Sequence, residues 1–260
     1  MLAVSRQGNM KQSIDKDYLV ARRYDQYYGA YATLPNWFIN ELSTKKGVLE
    51  LACGTGRIAI PLAQNGLAVT GIDYSKPMLD LAKSKADDKQ MKVEWVLGDI
   101  RCFDLGRKYQ VILLLFNALW HLHEVSDIED CLQCVQHHLT SDGLFILDVF
   151  VPDMKFLNRG PSRRYAFHKY IDDETGKLVK VTESIRYEAN TQIARVVHYK
   201  ENSEDVVGDL NLRMYFPKEL DALLKYNGMK IKNKFGNWDR DAFGLDSKHQ
   251  LYFCTTTKTG

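Results

Sequence analysis

The sequence predicts an α/β protein: a doubly wound, mostly parallel seven-stranded sheet with a closing antiparallel hairpin, an inserted antiparallel β meander and an N-terminal helical cap. Three observations carry this. Between residues 47 and 150, short apolar runs alternate with helical segments. Runs such as VILLL and LFILDV are apolar almost throughout, as strands buried on both faces must be. After Pro152 the runs become polar-alternating and are separated by DDETG, EAN and ENSED, which read as turns.

In chain order, residues 13–43 read as an aromatic helical segment holding Tyr18, Tyr24, Tyr27, Tyr28, Tyr31, Trp37 and Phe38, with Pro35 opening a second helix. GVLELA is a strand ending at a glycine loop. RIAIPLAQNG is a helix stopped by Gly66. LAVTGID is a strand, and SKPMLDLAKSKA a helix capped by Ser75 with Pro77 in its first turn. VEWVLGDI and YQVILLLFN are strands, DIEDCLQCVQHHL a helix and GLFILDVF a strand. PKELDALLKYNG is a helix between proline and glycine signals, and MKIKNKFG with HQLYFCTTT forms the closing hairpin. The expected organisation is a cap over 1–45, a core over 46–155, a β subdomain over 156–216, and a return to the core over 217–260.

A length of 260 residues suits one α/β domain with an added subdomain. The 35 basic and 33 acidic residues leave a net charge of +2, so there is no strong electrostatic case for a nucleic-acid partner. No run approaches the ~20 apolar residues of a membrane span, and the first residues lack a signal-peptide core. Five cysteines in such a chain suit a reduced, cytoplasmic setting.

The loop in LELACGTGR decides the ligand class. Gly54, Gly56 and Ala59 satisfy G-x-G-x-x-A, which alone also fits a dinucleotide and an NAD(P)-dependent oxidoreductase. A P-loop is excluded because no G-K-[ST] follows. Asp73 ends the next strand, where a carboxylate can accept from both hydroxyls of a ribose. Glu50 precedes the loop, where an acid suits a ligand ammonium better than a pyrophosphate. Asp99 ends the third strand and can accept from an adenine amino group while the Ile100 N–H donates to the ring.

Taken together, VLELACGTGRIAIPLA, VTGIDYSKPMLDLAK, WVLGDIRCFDL, YQVILLLFNALWHL and GLFILDVF resemble the class I S-adenosylmethionine-dependent methyltransferases, over about residues 18–155. The resemblance implies a Rossmann-like core. Ala52 replaces the usual first glycine, a variant similar to the small-molecule N-methyltransferases, among them glycine and amino-sugar N-methyltransferases. It implies that Ala52, Gly54 and Gly56 approach the cofactor by main chain and that Asp73 holds the ribose. Tyr74 and Met78 would flank the adenosine, and Asp99 with Ile100 would read the adenine. A carbonyl of Leu115 or Phe116 would meet the methionine amino group, with Tyr28 and Tyr24 closing from the cap.

In FNALWHLHE, Asn117 and His121 match substrate-side positions of the glycine N-methyltransferases, and His121 could accept a proton; His123 is its rival. Phe150 stands where those enzymes pair the substrate carboxylate with arginine, so a larger, more apolar amine is expected than glycine. The expected acceptor is a small molecule, an amine before a hydroxyl, enclosed by the cap and the meander with Tyr18 and Arg213 among its contacts. A tRNA methyltransferase, a non-catalytic cofactor sensor, and a meander serving only to pair subunits in a homodimer are the alternatives.

Two further patterns carry less. Cys131, Cys134 and His138 share a helix face but lack the fourth ligand and turn of a zinc site, so no metal is expected. Tyr165 and Lys169 fit Y-x-x-x-K but fall in a strand without a matching serine arrangement, and are read as chance.

Overall fold

The computed structural model describes residues 21–28, 34–172 and 175–257, without the side chains of Arg22, Arg23 and Tyr28. Tyr18 and Tyr31 therefore lie outside the described residues. The chain divides into two compact units. One comprises residues 32–151 and 215–260; the other combines the N-terminal residues to 31 with 152–214. The helix α2 (Asn36–Leu42), which the sequence grouped with the cap, belongs to the first of these.

The larger unit is built on β1 (Val48–Leu51), α3 (Ala59–Gln64), β2 (Val69–Asp73), α4 (Lys76–Asp88), β3 (Glu94–Leu97), β4 (Tyr109–Leu114), α5 (Val125–His138) and β5 (Leu139–Phe150). It closes with α7 (Pro217–Tyr226), β10 (Met229–Phe235) and β11 (His249–Thr256). The seven strands run in the order β10-β11-β5-β4-β1-β2-β3. Pairing is parallel except for β11, which is antiparallel to both β5 and β10. The strand order reverses between β4 and β1, the crevice where ligands of open α/β sheets collect at the carboxyl ends of the strands.

Alternation along the central strands explains the apolar runs. Val111 and Leu113 of β4 face Phe38 and Leu42 of α2 and Leu62 of α3. Ile112 and Leu114 face Ile128, Leu132 and Val135 of α5 and Leu220 of α7. Both faces of the sheet are thus covered, which is why β4 has no polar phase. At α4, Ser75 Oγ accepts from Met78 N as the cap and proline occupies the first turn, as the sequence predicts. The strand β5 is longer than expected: α5 ends at His138, Leu139 is already extended, and it pairs with Tyr109 before a register shift.

The second unit holds α1 (Ala21–Tyr28), the four-residue α6 (Met154–Leu157) and β6 (Tyr165–Ile171), β7 (Leu178–Glu188), β8 (Ile193–Lys200) and β9 (Val206–Arg213). These strands form an antiparallel meander in sequence order. Tyr27 of α1 is buried against Val181 of β7 and Val207 of β9. No helix among the described residues is long and apolar enough to cross a membrane.

Candidate active site

The loop after β1 turns through three left-handed residues, Ala52 (φ 53°), Gly54 (φ 55°) and Gly56 (φ 74°). The glycines serve different ends. A Cβ on Gly54 would meet nothing within 4 Å, so this backbone borders open space. A Cβ on Gly56 would lie 2.7 Å from Trp95 Cη2 and 3.0 Å from Ile60 Cδ1, so here the missing side chain admits close packing of loop, helix and strand.

Asp73 pins this loop to β2. Its Oδ2 accepts from Gly54 N at 2.7 Å and its Oδ1 from Ser75 N at 2.8 Å. Burial raises its pKa, and the backbone donors oppose that rise. A carboxylate offers about four lone-pair sites over its two oxygens, so Asp73 can hold the loop and still accept from a diol. Tyr74 beside it is half-buried, and Met78 is buried at the start of α4.

Glu50 is buried at the centre of the sheet, paired in register with Gly71 and Leu113. Burial pushes its pKa up to about 8, against the pull of Arg57 and of the Ala59 N–H. Its Oε2 is buried and has no hydrogen-bond partner among the described residues. An acceptor left unmatched in a sheet interior is costly, and it waits for a donor.

The third-strand carboxylate has a partner that sequence reasoning missed. Asp99 takes Arg101 Nη2 at 2.8 Å and Arg101 Nε at 3.1 Å on both oxygens, and its Oδ1 also accepts from Arg101 N at 2.9 Å. Arg101 Nη1 reaches Asp127 of α5 at 2.7 Å. Asp99 is thus clamped at the end of β3, and Ile100 next to it is buried. An incoming adenine amino group would share its oxygens with Arg101.

After β4, Leu115 is buried, and Phe116 (φ 53°) and Asn117 (φ 65°) are both left-handed. Two such residues in succession, one of them a bulky aromatic, mark stored strain of the kind found at functional sites. The surroundings hold it. Phe116 stacks on Trp238 at 5.9 Å with Arg57 over its ring at 4.7 Å. Asn117 N donates to Asp148 O at 3.2 Å, and Asn117 Oδ1 accepts from Phe150 N at 2.7 Å. Phe150 is 41% exposed, with its ring edge-on to Trp120 and His249, so it presents an apolar surface there. His121 ends the short helical turn Ala118–His121, where burial and His123 push its pKa down to about 4. It is neutral at pH 7 and weakly basic.

Glu50, Ala52, Gly54, Gly56, Asp73, Tyr74, Met78, Asp99, Ile100, Leu115, Phe116, Asn117, His121 and Phe150 all fall in the larger unit, at or following the carboxyl ends of β1 to β5. Tyr24 and Arg213 belong to the other unit, where Tyr24 is half-buried and Arg213 buried at the end of β9. Of the helix-face trio, Cys131 is buried, Cys134 Sγ donates to Arg101 O, and His138 uses Nδ1 on Cys134 O and Nε2 on Leu105 N. A groove of about 900 Å³ lined by Lys46, Val69, Glu94 and Lys108 lies at the amino ends of the strands, opposite the glycine loop.

The donor set fits S-adenosylmethionine. Open space over Gly54, a diol acceptor at Asp73 and an unmatched buried acid at Glu50 answer its ribose and ammonium. Comparison with known proteins agrees. Residues 48–143 match the family described as "Methyltransferase domain". The dTDP-3-amino-3,6-dideoxy-alpha-D-glucopyranose N,N-dimethyltransferase of Streptomyces fradiae is 29% identical over 101 residues, covering 39% of this chain and 38% of that one. A ubiquinone biosynthesis O-methyltransferase of Coxiella burnetii is 37% identical over 87 residues, covering 33% of this chain and 37% of its own. The structure of the CcbJ methyltransferase from Streptomyces caelestis superposes with a TM-score of 0.72 at 26% identity, covering 90% of each chain. The sequence matches span from about two fifths to under two thirds of the relatives' own lengths. Residues 48–143 thus match a methyltransferase domain, and the chain is similar in fold to the CcbJ methyltransferase over nine tenths of its length.

Proposed function

We propose that this chain transfers a methyl group from S-adenosylmethionine to a small-molecule acceptor, with an amine nitrogen as the acceptor atom. The observation that carries the reading is Glu50, a buried carboxyl with one oxygen unmatched among the described residues, beside a glycine loop that opens to space. An ammonium would favour the ionised carboxylate and be held there, whereas a pyrophosphate would oppose that ionisation.

When bound, the cofactor supplies an electrophilic methyl on a cationic sulfur. The chain's own work is alignment and exclusion of water. Ala52, Gly54 and Gly56 would offer main-chain contacts, and Asp73 would take the ribose hydroxyls. Tyr74 and Met78 would flank the adenosine, Asp99 and Ile100 its base. A carbonyl of Leu115 or Phe116 would join Glu50 at the ammonium. Asn117 and Phe150 would face the acceptor, one polar and one apolar.

The choice of nitrogen draws on the N,N-dimethyltransferase relative, and the O-methyltransferase relative makes a hydroxyl the second reading. The test has two arms. Calorimetry with S-adenosylhomocysteine and with NADH reads the ligand class; NADH binding without S-adenosylhomocysteine binding rejects the proposal. Mass spectrometry after incubation with S-adenosylmethionine and a primary alkylamine, an aminohexose or a catechol reads the acceptor atom. Methylation of the catechol alone moves the assignment to oxygen.

A further inference from the structure

Asp148 and His249 form a pair that the reading above does not use. Asp148, near the end of β5, is wholly buried, and its Oδ1 lies 2.8 Å from His249 Nδ1. Its Oδ2 is buried without a hydrogen-bond partner among the described residues. His249 opens β11 directly opposite Phe150, and its ring stands edge-on to the Phe150 ring at 4.6 Å. One fifth of the His249 side chain is exposed. Asp148 is its only ion-pair partner among the described residues, and its Nε2 makes no hydrogen bond among them.

The placement matters as much as the pair. Asn117 reaches Asp148 and Phe150 from the β4 side of β5, through the Asp148 carbonyl and the Phe150 N–H. His249 reaches the same two residues from the β11 side. The imidazole therefore sits at the carboxyl edge of β5, across Phe150 from the strained Phe116–Asn117 segment. A fully buried carboxylate spending one oxygen on a single imidazole is a poor way to stabilise a fold. It is a good way to fix a tautomer: Nδ1–H donates to the acid, and the Nε2 lone pair points away from it.

We propose that His249 is the proton acceptor for the nucleophilic atom of the methyl acceptor, with Asp148 as the residue that positions it. The inference rests on the methyl-transfer reading. In the step, the acceptor nitrogen uses its lone pair to form the N–CH3 bond, and the electron pair of the broken C–S bond stays with sulfur. The proton left on the nitrogen passes to Nε2, and the resulting imidazolium is balanced by Asp148 until the proton leaves through the exposed edge of the ring. His121, the histidine singled out from the sequence, is held neutral by burial and serves this step poorly.

The test uses the full chain and two readouts. In nitrogen-15 spectra of the cofactor-free protein, His249 is expected as the Nδ1–H tautomer, and Asp148→Asn is expected to convert it to Nε2–H. His249→Asn keeps a donor towards Asp148 but has no basic nitrogen; it should lower kcat on the alkylamine by about 10²–10⁴-fold. Its affinity for S-adenosylhomocysteine should stay within about threefold, as expected for a group that acts only on the acceptor. An Nε2–H tautomer in the wild type, or a kcat for His249→Asn within threefold of wild type, overturns the proposal alone. A wild type that methylates none of the three acceptors overturns the methyl-transfer reading and this inference with it.

Discussion

Glu50→Gln separates a structural carboxyl from one kept for a ligand. In the folded chain Glu50 titrates at about 8, against 4.5 when unfolded, and burial is the main cause. A carboxyl whose folded pKa is raised favours the native state at low pH. Between pH 4.5 and 8 the native state keeps a proton that the unfolded chain has lost, so stability falls as pH rises through that window. The fall is about 1.4 kcal/mol per pH unit for one proton, reaching roughly 3 kcal/mol by pH 7. Glutamine fills the same space and carries none of this dependence.

The assay is urea unfolding of both proteins at several pH values from 5.5 to 7.5. Wild type should lose stability relative to Glu50→Gln by about 1.4 kcal/mol for each pH unit, whatever offset the amide itself introduces. A cationic ligand beside the carboxyl favours its ionised form. S-adenosylhomocysteine binding at pH 7 should therefore expel a proton, seen as a buffer-dependent enthalpy in wild type and absent in the variant. A stability difference that stays flat with pH would show Glu50 already ionised in the folded protein, and the argument from the unmatched oxygen would fail.

Three other outcomes follow from the same geometry. Ala52→Gly removes a Cβ from a left-handed residue and should raise stability by about 1 kcal/mol in the same unfolding assay. Asn117→Ala loses both the acceptor for Phe150 N and a side chain that tolerates the left-handed region; a loss of about 2–3 kcal/mol is expected, with Asn117→Asp near neutral. Asp73→Asn places an amide against one of the two backbone donors and should weaken S-adenosylhomocysteine binding about 10–100-fold, one charged hydrogen bond in calorimetry.

Much of the core was legible because its signals are local. The alternation that buries Val111 and Leu113 on one face and Ile112 and Leu114 on the other leaves no polar phase in the sequence. The cap at Ser75 and the glycine loop each fit within a few residues. What escaped depends on partners distant in the chain. The sequence places Asp99 at a strand end without a protein partner, whereas in the structure Arg101 folds back on it and Asp127 of α5 takes the other side of the guanidinium. The extra residues at the start of β5 depend on Tyr109 pairing with Leu139 through a register shift.

The Asp148–His249 pair shows where the missing signal lay. The two residues are 101 positions apart, and only the antiparallel register of β5 with β11 brings the imidazole to the acid. No spacing rule finds that. Yet Asp148 sits in FILDVF as Glu50 sits in VLELA, a carboxylate inside a run that is otherwise apolar. Burying an acid in such a strand costs several kcal/mol unless something nearby answers it. For Glu50 the sequence offers only the neighbouring loop, where an acid suits a ligand ammonium, and in the structure one of its oxygens is unmatched among the described residues. Applied to Asp148, the same reasoning requires a donor at the carboxyl end of the fifth strand. The hairpin predicted to close the sheet beside that strand offers His249 at the very start of its second strand, and the structure puts its Nδ1 at hydrogen-bond distance from the acid.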